Sequence, residues 1–299
     1  MSNLTKREQL SALVDLAMNN NGNATMRPVI EKELLHYDIL FALDKENLLD
    51  RLTFQGGTSL RLCYGAVRFS EDLDFAGGQD FSSSYLLNMK KCLEHYIGNR
   101  YGLEITVKEP KEAEKLKEYQ CIKIDKWQIS IVTSPEKKDL PKQRIKIEVG
   151  NIPAYSRVPR TLQENYDFLP DGYSDTLIMT ESLDEIMADK LVAFVNCQKY
   201  IRHRDIWDLR WLKQRSAAVN SEFINAKLKD YSVDNYQEKL SERLNHLEGI
   251  INGRAFTDEM LRFLPVNVQE RTLQNEGFKV YLITEIRELL LAVQDIVSV

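Results

Sequence analysis

Cysteine and histidine are scarce in this chain of 299 residues, which contains four of each. The cysteines form no C-x-x-C pair, and the histidines are equally dispersed; the cysteines are Cys63, Cys92, Cys121 and Cys197. This pattern argues against a disulfide framework and against a zinc site. Any metal ion would therefore be held by carboxylates, a ligand set that suits hard cations such as magnesium.

Long apolar runs and an excess of positive charge are also lacking. No apolar stretch reaches the length that crosses a membrane, and the first residues lack the apolar segment of a signal peptide. We therefore expect a cytoplasmic protein with no membrane partner. The formal net charge of −5 excludes the basic balance of a nonspecific nucleic-acid binder. A basic segment from Lys199 to Arg215 is either a solvated helix face or a local basic surface.

The remaining composition is that of a globular protein, with 43% hydrophobic and 28% charged residues. Helical periodicity marks the first fifty residues, and strand-like runs follow, the last ending near Pro153 and Pro159. From Thr180 onward helical periodicity dominates. We therefore predict two domains, a mixed sheet with flanking helices over 1–170 and a helical domain over 171–299, which makes the fold class α+β.

One stretch, FQGGTSLRLCYGAVRFSEDLDF from Phe54 to Phe75, concentrates the residues that suggest chemistry. Side chains two apart in a strand share a face, so Asp72 and Asp74 would stand together while Leu73 and Phe75 face the core. A divalent metal ion is the natural partner of two such carboxylates. Glycines at a helix start leave backbone N–H groups open to a phosphate, and the hydroxyls of Thr58 and Ser59 follow. The stretch is neither a Walker A loop nor a G-x-G-x-x-G fingerprint.

The order of strand, Gly-Gly-Thr-Ser, helix and strand with Asp-x-Asp resembles the nucleotidyltransferase superfamily of DNA polymerase β. Gly56-Gly57-Thr-Ser-Leu-Arg-Leu62, followed by Arg68-Phe-Ser-Glu-Asp-Leu-Asp-Phe75, narrows the resemblance. Together they resemble the AbiEii/AbiGii family, the nucleotidyltransferase toxins of type IV toxin–antitoxin and abortive-infection systems, which include the MenT toxins.

Two later motifs also resemble this family. Ser182 and Glu185 predict a capping box at the start of a helix, and Lys190 falls on the apolar stripe of that helix. A lysine there either reaches the surface with its long chain or needs an anion; in the family this lysine faces the nucleotide triphosphate. The family more often has glutamate where this chain has Asp189. Arg204-Asp205-Ile-Trp-Asp-Leu209 resembles a second motif, in which Asp205 is either a functional residue or an ordinary first-turn carboxylate.

A third carboxylate is expected on a neighbouring strand of the sheet. Gln143-Arg-Ile-Lys-Ile-Glu-Val149 offers Glu148, and Asp125 on the preceding strand-like run is a rival. We prefer Glu148, because the family carries a similar acidic residue there, but the sequence leaves both open.

The resemblance implies an enzyme that transfers NMP from an NTP to an acceptor, with Mg²⁺ or Mn²⁺ as cofactor. The acceptor it suggests is the 3′ end of tRNA, so that translation is blocked in phage defence or growth control; a cognate antitoxin is expected, and contact with it is not required. The alternatives are transfer to a protein or a small molecule, or a catalytically silent nucleotide-binding module. The implied catalytic residues are Asp72, Asp74, Lys190, Asp205 and Glu148. The implied nucleotide-binding residues are Gly56, Gly57, Thr58, Ser59, Ser70 and Lys190, and the implied metal ligands are Asp72, Asp74 and Glu148.

Overall fold

In the computed structural model, residues 5–21, 26–110, 114–115, 122–134, 136 and 141–297 are described. The chain forms two compact units. The first contains Met1–Glu114 and Lys123–Thr180, and the second contains Lys115–Ile122 and Glu181–Val299. The predicted division after residue 170 stays a prediction; the first unit extends to 180 because the strand that ends there pairs within the sheet.

The first unit is built on a mixed sheet. Its helices are α1 (Lys6–Asn21), α2 (Arg27–Lys45), α3 (Gly56–Tyr64) and α4 (Met89–Tyr101), with a short 3-10 turn at Ser83–Leu86. Its strands are β1 (Thr53–Gln55), β2 (Leu73–Ala76), β3 (Ile105–Lys108), β4 (Glu114–Lys115), β5 (Lys123–Ile131), β6 (Gln143–Gly150), β7 (Val158–Thr161) and β8 (Leu177–Thr180).

The strands pair in the order β3-β5-β6-β2-β1-β8-β7, and β4 pairs with β5 outside this path. Strand β2 lies parallel to β6 and antiparallel to β1, while β5 and β6 form a long antiparallel pair. Fully buried side chains from one face of these strands, including Phe75, Ile129 and Ile147, form the core of the unit. The central position of β2 brings its residues next to β1 on one side and β6 on the other.

The sequence sets the ends of the two helices that flank this sheet. Gly65 is the C-cap of α3 and Gly102 is the C-cap of α4, and both glycines adopt left-handed backbone angles, with φ of 76° and 61°. Glycine takes up this conformation without the steric penalty that a side chain brings. Helix α3 begins at Gly56, so the two glycines form its first turn rather than a loop before it.

From Leu183 onward, the described secondary structure of the second unit is helical. Its helices are α5 (Leu183–Asn196), α6 (His203–Gln214), α7 (Ser221–Asp230), α8 (Tyr236–Asn252), α9 (Arg254–Leu261), α10 (Val266–Thr272) and α11 (Glu276–Val297). The predicted start of α5 is confirmed, since the Ser182 hydroxyl accepts the backbone N–H of Glu185 at 3.2 Å. Among the described residues, no helix is long and apolar enough to cross a membrane.

The α+β class and the helical C-terminal part are confirmed, and one strand prediction is wrong. The last strand-like run was expected to end near Pro159, but β7 spans that proline and β8 follows it. Strand β7 is the end strand of the path and carries Pro159, as an edge strand tolerates a residue without an N–H donor. Cys63, Cys92 and Cys197 are free thiols, and Cys121 lies outside the described residues.

Candidate active site

Two acidic residues stand at the start of β2 in the first unit. Asp72 comes immediately before the strand and Asp74 lies within it, and both are half-buried. Leu73 and Phe75 are fully buried on the other face, as the alternation predicted. Asp72 therefore lies two residues before Asp74, just outside the residues of β2 that pair with neighbouring strands.

The strand register decides which acidic residue lies beside Asp74. Asp74 pairs with Glu148 on β6, and Glu148 in turn pairs with Lys126 on β5. Paired residues on neighbouring strands share a face and lie about 4.8 Å apart. Asp125 pairs with Val149, so its buried side chain lies on the opposite, core face. Of the two rivals, only Glu148 shares a face with Asp74.

Two lysines neutralise part of this acidic group. The Lys126 ammonium lies 2.8 Å from Glu148 Oε1, and the Lys146 ammonium lies 3.5 Å from Asp72 Oδ2. Both lysine side chains are about half exposed, at 45% and 43%. Within the part of the chain that the structure describes, no three acidic, histidine or cysteine side chains are grouped closely enough to hold a metal ion.

Gly56 allows α3 to begin against the Asp74 carboxylate. Its φ of 77° lies in the left-handed region, and a Cβ added there would stand 2.9 Å from Asp74 Oδ2. An alanine at this position would be strained by its backbone and would also collide with the carboxylate. The first turn of α3 is therefore adjacent to the acidic group.

Gly57 provides a second close approach in the same turn. A Cβ at Gly57 would stand 2.4 Å from Arg68 Nη2 and 3.0 Å from Ser70 Oγ. The Arg68 guanidinium is buried and donates to the carbonyl oxygen of Phe69 at 2.7 Å. The helix start is thus bordered by a carboxylate at Gly56 and by a guanidinium and a hydroxyl at Gly57.

The two hydroxyl residues that follow the glycines differ in their contacts. The Thr58 hydroxyl donates to the backbone carbonyl of Asp72, which ties α3 to the chain before β2. Ser59 is fully buried, and its hydroxyl has no hydrogen-bond partner among the described residues. Thr58 thereby has a positioning role in the structure, and the nucleotide-binding role expected for all these residues stays a prediction.

In the second unit, Lys190 on α5 forms ion pairs with two aspartates of the neighbouring helix α6. Its ammonium lies 2.9 Å from Asp205 Oδ1 and 2.7 Å from Asp208 Oδ2, and only 8% of its side chain is exposed. Asp205 also accepts from the Arg202 guanidinium. Burial by itself would raise the pKa of the Asp205 carboxyl, but Arg202 and Lys190 outweigh it, so that pKa lies well below its ordinary value. Lys190 thus does not reach the surface, and Asp205 bonds side chains rather than capping α6.

A second buried lysine, Lys227 on α7, was not predicted from the sequence. Its fully buried ammonium contacts Glu181 at 3.0 Å, Glu185 at 2.8 Å and Asp189 at 3.0 Å. Burial opposes the charge of Lys227, but these carboxylates raise its pKa well above the usual value. The pKa of Glu181 is also raised, chiefly by burial and then by Asp189. Asp189, at the position where the family more often has glutamate, joins this buried network.

The basic segment of α6 is largely neutralised within the second unit. Arg202 pairs with Asp205, Arg204 with Glu259, and Lys213 with both Glu285 and Glu288. Arg210 is buried, and its guanidinium lies 4.4 Å from the centre of the Trp207 ring. Most of this charge therefore serves contacts within the unit, which argues against the segment as a local basic surface.

Comparison with known proteins places these motifs in a family. The model of the nucleotidyl transferase AbiEii toxin family, from type IV toxin–antitoxin systems, matches residues 38–282, well over half of the chain. The chain belongs to the AbiEii toxin family. As an AbiEii protein it is a nucleotidyltransferase, with an NTP as substrate class and an antitoxin as its counterpart in the type IV system. Enzymes of this kind generally use a divalent metal ion.

Solved structures similar to this AbiEii protein come from Helicobacter pylori. JHP933 is 17% identical, with a TM-score of 0.44 over 88% of this chain and 93% of that one. A provisionally assigned nucleotidyltransferase is 18% identical, with a TM-score of 0.45 over 88% of this chain and 96% of that one. Among curated proteins, none matches the sequence significantly.

Three residues of the AbiEii protein with distinctive contacts were missed in the sequence. Asp208 follows Asp205 by three positions, a spacing that puts both on one side of a helix and was readable in the motif. Lys227 follows the buried Ile224 by three positions, so the signal that singled out Lys190 was present there too. Arg68 lies inside the quoted motif, but no pattern in the sequence shows that its guanidinium turns toward Gly57.

Proposed function

We propose that this protein transfers a nucleoside monophosphate from an NTP to the 3′-terminal hydroxyl of tRNA and thereby blocks translation. One observation carries the nucleotidyl transfer: the pairing of Asp74 with Glu148 on one face of the sheet, directly against the glycine turn that begins α3. The tRNA acceptor is proposed from the family resemblance. Carboxylates for a cation and a helix start for a phosphate then belong to one local structure.

The ligand types of this group suit a hard divalent cation, although its three side chains are not grouped closely enough in this structure to hold one. Asp72, Asp74 and Glu148 offer oxygen ligands alone, which Mg²⁺ and Mn²⁺ accept. Asp74 and Glu148 are held on neighbouring strands, and Asp72 lies one strand period away. A cation held there would lower the pKa of the attacking hydroxyl and offset negative charge in the transition state.

In the proposed reaction the acceptor oxygen forms a bond to the α-phosphorus, and the bond from that phosphorus to pyrophosphate breaks. Glu148 accepts the proton of the hydroxyl, and pyrophosphate leaves with the displaced electron pair. The backbone N–H groups of Gly56 and Gly57 and the hydroxyl of Ser70 donate to the β- and γ-phosphates, and the fully buried Ser59 follows in the same helix turn. Such chemistry depends on positioning and electrostatics, so no covalent enzyme intermediate is required.

Lys190 and Asp205 enter the proposal through the family resemblance. In the family this lysine faces the triphosphate; in this chain its ammonium is already shared between two carboxylates of its own unit. The contact of 2.9 Å between Lys190 and Asp205 supports a shared role. Asp208, at 2.7 Å from the same ammonium, is the third member of this group.

The test is a transfer assay with magnesium, each α-labelled NTP in turn and total tRNA. The wild type should label tRNA with a preferred nucleotide, and the Asp72→Asn/Asp74→Asn double variant should not. Label on a protein instead of RNA would move the proposal to protein modification. If the double variant labels tRNA at the wild-type rate, Asp72 and Asp74 have no catalytic role.

A further inference from the structure

The face of β3, β5 and β6 that turns away from the core carries a cluster of basic side chains. Lys108 pairs with Gln128, which pairs with Lys146; Thr106 pairs with Ser130, which pairs with Arg144. Lys126 stands in the next row, beside Glu148. Because paired residues share a face, these side chains all lie on one side of the sheet. We call its four cations, Lys108, Lys126, Arg144 and Lys146, the basic sheet face.

This face differs from the core face of the same strands. Val107, Trp127, Ile129, Ile145 and Ile147 are buried on the core side. On the other side, Lys108, Lys126 and Arg144 are exposed and Lys146 is half-buried. The residues between the cations are threonine, serine and glutamine, all hydrogen-bonding side chains. A sheet with one core face and one polar face is common; this polar face carries four cations on a chain of net charge −5.

The four cations differ in their ion pairs. Lys126 and Lys146 contact Glu148 and Asp72, next to β2. Lys108 and Arg144 have no ion pair among the residues that the structure describes. Along β6, Arg144 without a carboxylate partner in that part of the chain is followed by Lys146 and then by Glu148 of the candidate catalytic group. The cations of the basic sheet face span two strand spacings from β3 to β6, about 10 Å, and β2 with Asp74 is the next strand.

We propose that the basic sheet face binds the phosphate backbone of the RNA acceptor and guides its 3′ end to Asp72, Asp74 and Glu148. This inference rests on the proposed transfer to RNA. Four cations on three neighbouring strands, about 10 Å across, match a polyanion with more than one phosphate rather than a single phosphate group. Hydroxyl and amide side chains among cations are the groups that contact phosphate and sugar. The paired charges of α6 are not part of this surface.

The decisive measurement is the salt dependence of tRNA binding. Binding is measured in the absence of nucleotide by the fluorescence anisotropy of end-labelled tRNA. The variant is Lys108→Gln/Arg144→Gln, which leaves the lysines that contact Asp72 and Glu148 intact. The matched control is Lys229→Gln/Arg254→Gln, which removes one lysine and one arginine from exposed positions of the second unit. Each lost phosphate contact lowers the slope of log K against log salt by about 0.7–0.9.

The double variant should lose about 1.4–1.8 of that slope, which corresponds to about 25- to 60-fold weaker binding at 0.1 M salt if the lines meet at 1 M. The control should keep the wild-type slope. An unchanged slope in the variant, or an equal loss in the control, overturns the docking surface.

Two further readouts separate this inference from the proposed function. The NTP-dependent rise in melting temperature should persist in the variant, which shows that it is folded and binds nucleotide. In the transfer assay its KM for tRNA should rise more than its kcat falls; a loss confined to kcat contradicts docking. Asp72→Asn/Asp74→Asn should lose transfer but still bind tRNA with the wild-type slope. If the wild type labels a protein and binds tRNA without a salt slope, the RNA surface is refuted together with the RNA acceptor.

Discussion

Replacing Lys227 by methionine tests the buried network of the second unit. The change removes one positive charge from within 2.8–3.0 Å of three carboxylates, two of which are fully buried. Methionine has nearly the same length, so packing changes little, and the carboxylates lose their main counter-charge. Breaking a buried ion pair in this way typically costs about 3–5 kcal/mol. That is a large part of the about 5–15 kcal/mol by which a domain is stable.

The assay is urea and thermal unfolding at neutral pH. For a protein of this size the expected loss lowers the melting temperature by about 6–20 °C. The matched control is Lys229→Met, two residues along the same helix and exposed, which should change stability by less than about 0.5 kcal/mol. Adding Glu181→Gln to Lys227→Met should recover part of the loss, since Glu181 then no longer carries a buried charge. A Lys227→Met variant within about 1 kcal/mol of the wild type would refute the reasoning.

Two further predictions concern the first unit. Gly56→Ala should reduce nucleotidyl transfer by about 100-fold or more, because its Cβ would meet Asp74 Oδ2 at 2.9 Å. The control is Gly78→Ala, which has the same kind of backbone strain, with φ of 84°, but open space around the added Cβ. Equal losses of transfer in the two variants would contradict the proposed site. Burial lowers the pKa of His36 to about 4, although its ring donates to the Glu71 carbonyl. The unfolded chain then binds the extra proton, so stability should fall by about 3 kcal/mol as the pH drops from about 6.5 to 4. Unfolding curves of His36→Gln should lose this part of the pH dependence, and an unchanged profile would assign it to other groups.

Local patterns account for the elements that the sequence predicted well. Helix α5 starts where Ser182 and Glu185 indicated, since a cap involves residues three apart. The alternation around β2 correctly separated the buried Leu73 and Phe75 from the polar Asp74. Strands β7 and β8 were missed because they are held by pairing with each other and with β1, more than a hundred residues away in the chain. Pro159 made the local signal of β7 weaker still.

The order of motifs from Gly56 to Asp74, and from Ser182 to Leu209, was sufficient by itself to identify the family and its chemistry, because residue types at short fixed spacings carry that information. Which side chains meet was decided only by the tertiary structure. Alternation along a strand shows which residues of that strand share a face with Asp125 or with Glu148. Only the register of β5, β6 and β2 decided that Glu148 lies beside Asp74. Likewise a lysine on an apolar stripe needs an anion, but only the packing of α6 against α5 supplied Asp205 and Asp208. The physical reason is that strand register and helix packing depend on the whole set of buried contacts, whereas caps, turns and alternation depend on neighbours in the chain.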